Sequence, residues 1–395
     1  MRDGWVETTI GDLARVTSGF AFSTKSWSEH GIPVIKINNV RNGRVSTENC
    51  SYIQEPVPDG ASRFLLKEGD LLITLTGEIG AIGFVTQSQP MYLNQRVGRL
   101  DLLARDRVSL KFIGLFLSLP EVRAEMWSHG KGNAQLNISP TSIHSMTIDL
   151  PPLPEQKRIV DLISSVDSYI EALQQKLESA KRSRNAVLHE LLTAGGDDWE
   201  TTTIGDISDF VSVRKSPEQL SADSIYVGLE HLEPNNTSID NFESVSKVTS
   251  SLTPFDVGDV LFGRLRPYLH KVAIAEMYGF CSPEILVLRA NSKVLPQMLL
   301  LFCDADSTIN ICVERSAGTR MPRTSTEDLA SIEIKLPPIV EQIKLAELSS
   351  TFDTDISYLG IALEKSRILR SGLLSDLLSG THEIPASYDK VIGAA

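Results

Sequence analysis

The sequence predicts a mixed α/β (α+β) chain made of two similar globular domains, each followed by one long helix. Its motifs recur. Leu150-Pro151-Pro152-Leu153-Pro154-Glu155-Gln156 returns as Leu336-Pro337-Pro338-Ile339-Val340-Glu341-Gln342, 186 residues on. The opening Trp5…Thr8-Thr9-Ile10-Gly11-Asp12 returns as Trp199…Thr202-Thr203-Ile204-Gly205-Asp206 at an offset of 194, and Gly69-Asp70 returns as Gly258-Asp259 at 189. The shrinking offset places a loss of eight residues inside the second globular copy. The character of the pattern also changes at each proline motif, from short β-like runs to one unbroken helical seam. The boundaries that follow are 1–150 and 197–335 for the two domains, 151–196 and 336–381 for their linkers and helices, and 382–395 for a tail.

In the first domain, Ile32–Ile37, Asp70–Leu75 and Val97–Leu103 read as strands, separated by turns such as Asn42-Gly43, and a helical pattern covers 109–127. The second domain repeats the scheme, with strands at 224–229, 258–263, 271–276 and 284–289 and a helix near 296–312. The first long helix carries an apolar seam at Ile159, Ile163, Val166, Ile170, Leu173, Leu177, Ala180, Arg184, Val187 and Leu191, in alternating steps of four and three. The second carries Leu345, Ser349, Phe352, Ile356, Leu359, Leu363, Ser366, Arg370, Leu373 and Leu377, each 186 positions later. So thin a seam suits one partner helix better than a globular flank. The matched seams predict that the two helices pair with each other, antiparallel, around a pseudo-two-fold axis. Ile163, Val166, Ile170, Leu173 and Leu177 would then face Phe352, Ile356, Leu359 and Leu363.

Composition narrows the function. At 395 residues and 42% hydrophobic, the chain can bury two cores. No apolar run reaches the ~20 residues of a membrane span, and the charged start does not resemble a signal peptide, so a cytoplasmic protein is expected. Cys50, Cys281, Cys303 and Cys312 form no C-x-x-C pair and read as reduced core thiols. Charge argues mildly against nucleic acid, with 38 Lys+Arg against 50 Asp+Glu and a net of −12. The excess is concentrated in 197–335, which holds 12 basic and 21 acidic residues, whereas 1–150 balances at 15 each. Any claim of nucleic-acid binding therefore rests on local clusters or on charge supplied by partners.

No catalytic constellation is legible. The seven histidines form no H-E-x-x-H or H-x-H cluster, and Walker A, G-x-S-x-G and Asn/Asp-Pro-Pro-Tyr signatures are absent. Gly77–Gly83 has the wrong spacing for a dinucleotide loop and reads as a turn between strands. Glu333-Ile334-Lys335 reads as an exposed strand leading into the linker, because its counterpart Thr147-Ile148-Asp149 lacks the lysine of a nuclease motif. The chain is expected to be non-catalytic, with no metal and no cofactor of its own.

Polar clusters on expected loops are the remaining signal. In the first copy they are Lys36, Asn38, Asn39, Arg41 and Arg44, then Gln95 and Arg96, then Lys131, Asn133 and Gln135. In the second they are Arg264, Arg266, Tyr268 and Lys271, then Arg320 and Arg323. Arginine suits guanine O6/N7 and Asn or Gln suits adenine N6/N7, while Lys and hydroxyls anchor phosphates. Each cluster alone is more often an ordinary solvated loop. Their recurrence at corresponding loops with different content, 131–137 against 317–323, is what two scaffolds reading two different sequences would show.

With these features the chain resembles the specificity (S) subunit of type I restriction–modification enzymes over about residues 1–380. The resemblance implies two target-recognition domains, each reading one half of a bipartite double-stranded DNA site, and an antiparallel coiled coil setting the spacer. It also implies two methyltransferase (M) subunits supplying S-adenosylmethionine binding and two restriction (R) subunits supplying ATP-driven chemistry. The competing expectation is a non-catalytic adaptor whose two modules bind proteins on a coiled-coil rod.

Overall fold

The computed structural model describes residues 4–130, 136–316 and 321–389. The chain divides into two compact units that do not follow the expected boundaries. One comprises residues 1–173 and 362–395, the other 174–361. Each unit thus combines one globular module with half of each long helix.

Both modules are assembled from the same three sheets. In the first, Val6–Thr9 pairs with Thr147–Leu150, closing the module's beginning on its end. A six-stranded sheet runs in the order 14–18, 97–102, 71–74, 82–84, 43–45, 40–41, and a five-stranded sheet in the order 27–28, 51–53, 32–35, 91–93, 65–66. In the second, Glu200–Thr203 pairs with Glu333–Leu336. Its two four-stranded sheets run 208–210, 285–290, 260–263, 272–274 and 243–244, 225–227, 279–281, 253–255. The first module's additions are the Trp27–Ser28 edge strand and the Val40–Val45 hairpin, turned through Asn42 and Gly43 at φ 51° and 75°. The core of each lies between sheet and helices, with Ile10, Leu71, Ile73 and Phe112 fully buried in one and Ile204, Val260, Phe262 and Met298 in the other.

Two expected helices are each broken in two. The 109–127 pattern forms Leu110–Leu117 and Pro120–Ser128, because a residue preceding proline (here Leu119) is driven out of the helical region. The 296–312 pattern forms Pro296–Asp304 and Asp306–Arg315, with Ala305 extended and the Asp306 carboxylate at the new helix's N-terminus.

The repeated motifs have direct physical roles. Thr9 and Asp12 form a capping box, as do Thr203 and Asp206. The intervening glycine admits a neighbouring helix: a Cβ on Gly11 would lie 3.1 Å from the His144 carbonyl oxygen, and one on Gly205 3.1 Å from that of Ala330. Gly69 and Gly258 turn at φ 88° and 90°, and the following Asp70 and Asp259 accept from the backbone N–H groups of Lys67 and Asp256 at 2.9 and 2.8 Å.

The proline motif acts as a clasp. Buried Gln156 donates to the Arg107 and Pro151 carbonyls, both at 2.8 Å, and accepts from Ser109 N–H at 2.9 Å. Gln342 repeats all three bonds, to Lys293 and Pro337 carbonyls at 3.0 and 2.9 Å and from Leu295 N–H at 2.9 Å. The preceding glutamate accepts from the opening tryptophan, Trp5 Nε1 to Glu155 at 3.2 Å and Trp199 Nε1 to Glu341 at 2.6 Å. Trp and Glu-Gln recur together because they close one hydrogen-bonded joint between module and helix.

The long helices span Leu153–Ala194, 42 residues, and Ile339–Leu378, 40 residues. Within the first unit, Ile159, Val160 and Ile163 share a core with Leu374, Leu377 and Leu378, and Arg370 pairs with Asp167. Within the second, Leu188 and Leu345 share a core and Arg184 Nε donates to Asp353 at 2.6 Å. In both units an advancing position on one helix meets a receding one on the other, which is antiparallel pairing. Ile163, Leu173 and Leu363 are buried, and Val166, Ile170, Leu177, Phe352, Ile356 and Leu359 are half-buried. One seam expectation fails: Leu191 is 37% exposed, and Leu188 and Leu192 take its place because this helix end faces the second module's core.

Candidate nucleic-acid interface

In each module one pair of parallel strands gathers the polar residues at its C-terminal ends. Ile32–Ile35 runs parallel to Met91–Leu93 with Ile35 beside Leu93, and Asn94 N–H donates to the Ile35 carbonyl at 3.1 Å. The loop beginning at Lys36 and the turn at Asn94-Gln95-Arg96 therefore emerge side by side. Ile225–Val227 and Gly279–Cys281 repeat the arrangement, with Val227 beside Cys281, and bring together Gly228–His231 and Ser282-Pro283-Glu284.

The second loop is the same turn in both copies. Asn94 Oδ1 accepts from Arg96 N–H at 3.3 Å, and Ser282 Oγ accepts from Glu284 N–H at 3.2 Å. The Arg96 carbonyl accepts from Leu75 N–H at 2.9 Å, and that of Glu284 from Arg264 N–H at 3.0 Å. The first loop is also shared. Its one-turn helix is closed by Asn39 Oδ1 accepting from Lys36 N–H at 3.0 Å, and in the other module by His231 Nδ1 accepting from Gly228 N–H at 2.9 Å. A further bridge pairs Thr76 with Asn137 in one copy and Leu265 with Arg323 in the other. One backbone thus carries two sets of side chains.

The expected contact residues divide by what already holds them. Asn38, Arg41, Gln95 and Arg96 are exposed at the first module's loops, as are Arg266, Tyr268 and Arg323 at the second's. Asn39 is 4% exposed and its amide is used on Lys36 N–H and the Glu48 carbonyl, so it shapes the loop. Lys36 donates to Ser51 Oγ at 2.6 Å and lies 3.8 Å from the Trp27 ring centroid. Burial, and then the charge of Arg96, lower its pKa, and Cys50 opposes them. Arg44 forms a two-pronged pair with Glu171 of the first long helix, at 3.0 and 2.6 Å, tethering the hairpin rather than leaving its fork free. Lys271 donates to the Leu229 carbonyl at 2.8 Å and supports the one-turn helix. Arg264 is half-buried, its Nε donating to the Thr324 carbonyl at 3.1 Å, and burial followed by the charge of Arg323 lowers its pKa. Lys131, Asn133, Gln135 and Arg320 lie outside the described residues.

Two groups at the second module's loops escaped the sequence analysis. Exposed Arg214 is close enough to act on Arg264 and Cys281 electrostatically, and the adjacent pair Arg214-Lys215 was its only signal. Glu284 pairs with Arg323 at the position where the first module has Arg96. A search for cations and amides does not find an acid. Among the described residues no group of three or more His, Cys, Asp or Glu could hold a metal ion, and no helix is long and apolar enough to cross a membrane.

Fold and loops define a duplicated recognition scaffold, with one framework repeated and its exposed side chains changed. Residues 2–182 and 196–363 match the type I restriction modification DNA specificity domain. The chain belongs to that family. It is 28% identical over 199 residues to the EcoBI specificity subunit of Escherichia coli, covering 49% of this chain and 40% of that one. It is 26% identical over 196 residues to the MjaVIII specificity subunit of Methanocaldococcus jannaschii, covering 48% and 46%. The matched part thus spans less than half the length of these two relatives. A putative MjaX specificity subunit from the same archaeon matches over 96% of this chain and 93% of its own, at 21% identity. In fold, the chain is similar to the type I restriction–modification S subunit of M. genitalium, with a TM-score of 0.57, 16% identity and 95% and 96% of the chains covered. A chain from a structure of type I R-M complex assembly gives 0.58, 13%, 96% and 98%.

Proposed function

We propose that this chain is the DNA specificity subunit of a type I restriction–modification complex, and that each module reads one half of a bipartite double-stranded target. The observation that carries this is the shared loop framework with substituted tips: Arg96 against Glu284, Asn137 against Arg323, Asn38 against Glu230. A framework conserved between copies with altered exposed donors and acceptors is what reading two different base sequences requires. The chain contributes sequence choice and no chemistry. Two methyltransferase subunits bring S-adenosylmethionine, two restriction subunits bring ATP, and the long helices set the spacer between half-sites and dock the methyltransferases.

A net charge of −12 makes the isolated chain a weak DNA binder, so partners supply much of the positive field. The test is binding of the purified chain, alone and with its methyltransferase subunit, to a pool of random duplexes at several salt concentrations. Enrichment of a two-part motif by the complex, with affinity falling steeply as salt rises and little binding by the chain alone, supports the assignment. A complex that selects no sequence overturns it.

A further inference from the structure

The second module carries an acid–arginine pair where the first has two groups of different chemistry. Glu284 and Arg96 occupy the same position of the same turn, and Arg323 and Asn137 the same position of the same bridge. Arg323 Nη2 donates to Glu284 Oε1, at a site where the arginine is 49% exposed and the glutamate 32%. Arg264 stands behind the pair, fixed by the Thr324 carbonyl.

A carboxylate beside an exposed arginine changes what that arginine is good for. The pair is close to neutral, so its attraction to a phosphate is weakened and the ions released on contact are few. The directional donors of the guanidinium survive. One Nη2 hydrogen is held by Glu284, which fixes the rotamer of a long and otherwise mobile side chain. The other Nη2 hydrogen remains, with Nη1 or Nε, for a two-pronged bond, and guanine O6 and N7 match that fork.

On the reading of the chain as a DNA specificity subunit, we propose that Arg323 reads a guanine in the half-site of the second module, with Glu284 as the positioning residue that orients it. Arg266, on the same loop cluster and with no side-chain partner among the described residues, serves a phosphate. The first module, with Arg96 and Asn137 at these places, reads a different base there.

The experiment compares Arg323→Ala, Arg323→Lys, Glu284→Gln and Arg266→Ala in the complex with its methyltransferase subunit, by selection from random duplexes and by the salt dependence of binding. Arg323→Ala is expected to relax one G·C position in one half-site by about 5- to 150-fold, leave the other half-site intact and barely change the salt slope. Arg323→Lys should fail to restore that position, because an ammonium lacks the fork. Glu284→Gln should relax the same position more weakly, and Arg266→Ala should lower the salt slope by about one without changing the motif. Retained preference at the remaining positions of the second module's own half-site shows that the altered module is folded. A folded Arg323→Ala complex with an unchanged motif, or one whose only change is a lower salt slope, overturns the proposal. Failure of the unaltered complex to select any motif refutes the specificity assignment itself.

Discussion

The two seam arginines are equivalent in sequence and unequal in setting. Arg184 is 7% exposed and touches Asp353 at 2.6 Å and Asp304 at 3.6 Å. The Arg370 side chain is 27% exposed, with its partner Asp167 at 46%. Removing the partner of a buried cation costs more than removing that of a solvated one. Asp353→Ala should therefore destabilise the chain by about 2–3 kcal/mol, and Asp167→Ala by about 1 kcal/mol or less, measured by urea unfolding. Equal losses would mean that both pairs are wet.

Burial pushes Asp304 from the ordinary 3.8 up to about 7, against the pull of Arg184 and with help from Asp353 and Asp306. His270 also faces it, 4.0 Å away. The folded chain therefore holds this proton more tightly than the unfolded one. The resulting stability is complete below about pH 4 and is lost as pH rises through about 7. Asp304→Asn should flatten the pH dependence of unfolding across that window. An unchanged dependence in the variant would assign it to other groups.

At the scale of elements, the clasp formed by Gln156 and Gln342 joins each module to its helix. Gln156→Ala would leave the Arg107 and Pro151 carbonyls and the Ser109 N–H without their partner, and Gln342→Ala the equivalent three groups. Each substitution should cost about 3 kcal/mol or more. Thermal unfolding with separate probes in the two units would show whether the loss is confined to the unit carrying the change.

Here the sequence was most legible. Repeated motifs and four-three steps marked both modules and both helices, since an apolar seam and a fixed hydrogen-bond joint each demand particular residue types at particular spacings. Breaks were less visible: Pro120 signalled one, whereas nothing around Ala305 did. The candidate interface was legible only as composition. Asn38 and Asn39 are neighbours of the same type, yet one is exposed and the other locked into the loop. Which amide is free depends on backbone geometry that spacing does not encode. The Glu284–Arg323 pair joins residues 39 apart through a turn and a bridge, and no local pattern announces it.

For the whole molecule, the proposed function makes spacing and selection separate properties. The compact units divide at 173/174 in the first long helix and 361/362 in the second. Leu192, near the end of the first long helix, packs on the second module's core, so lengthening the helix at that end would disturb the core. Four residues inserted in both helices at the division add about one turn, or ~6 Å. The spacer between half-sites should then lengthen by one or two base pairs, at ~3.4 Å each, with both half-sites unchanged. Methylation mapping that finds the spacer unaltered would remove the helices from their proposed role.

Each module is proposed to select its own half of the target. Base-resolution methylation mapping tests it most directly, in a host carrying this chain and its methyltransferase subunit, with the chain unaltered or with Gln95→Ala and Arg96→Ala together. A two-part methylated motif is expected in the first case and, in the second, relaxation of one part by about 1–3 kcal/mol per lost contact while the other part stays intact. A single continuous motif, or relaxation of both parts by changes in one module, would contradict it.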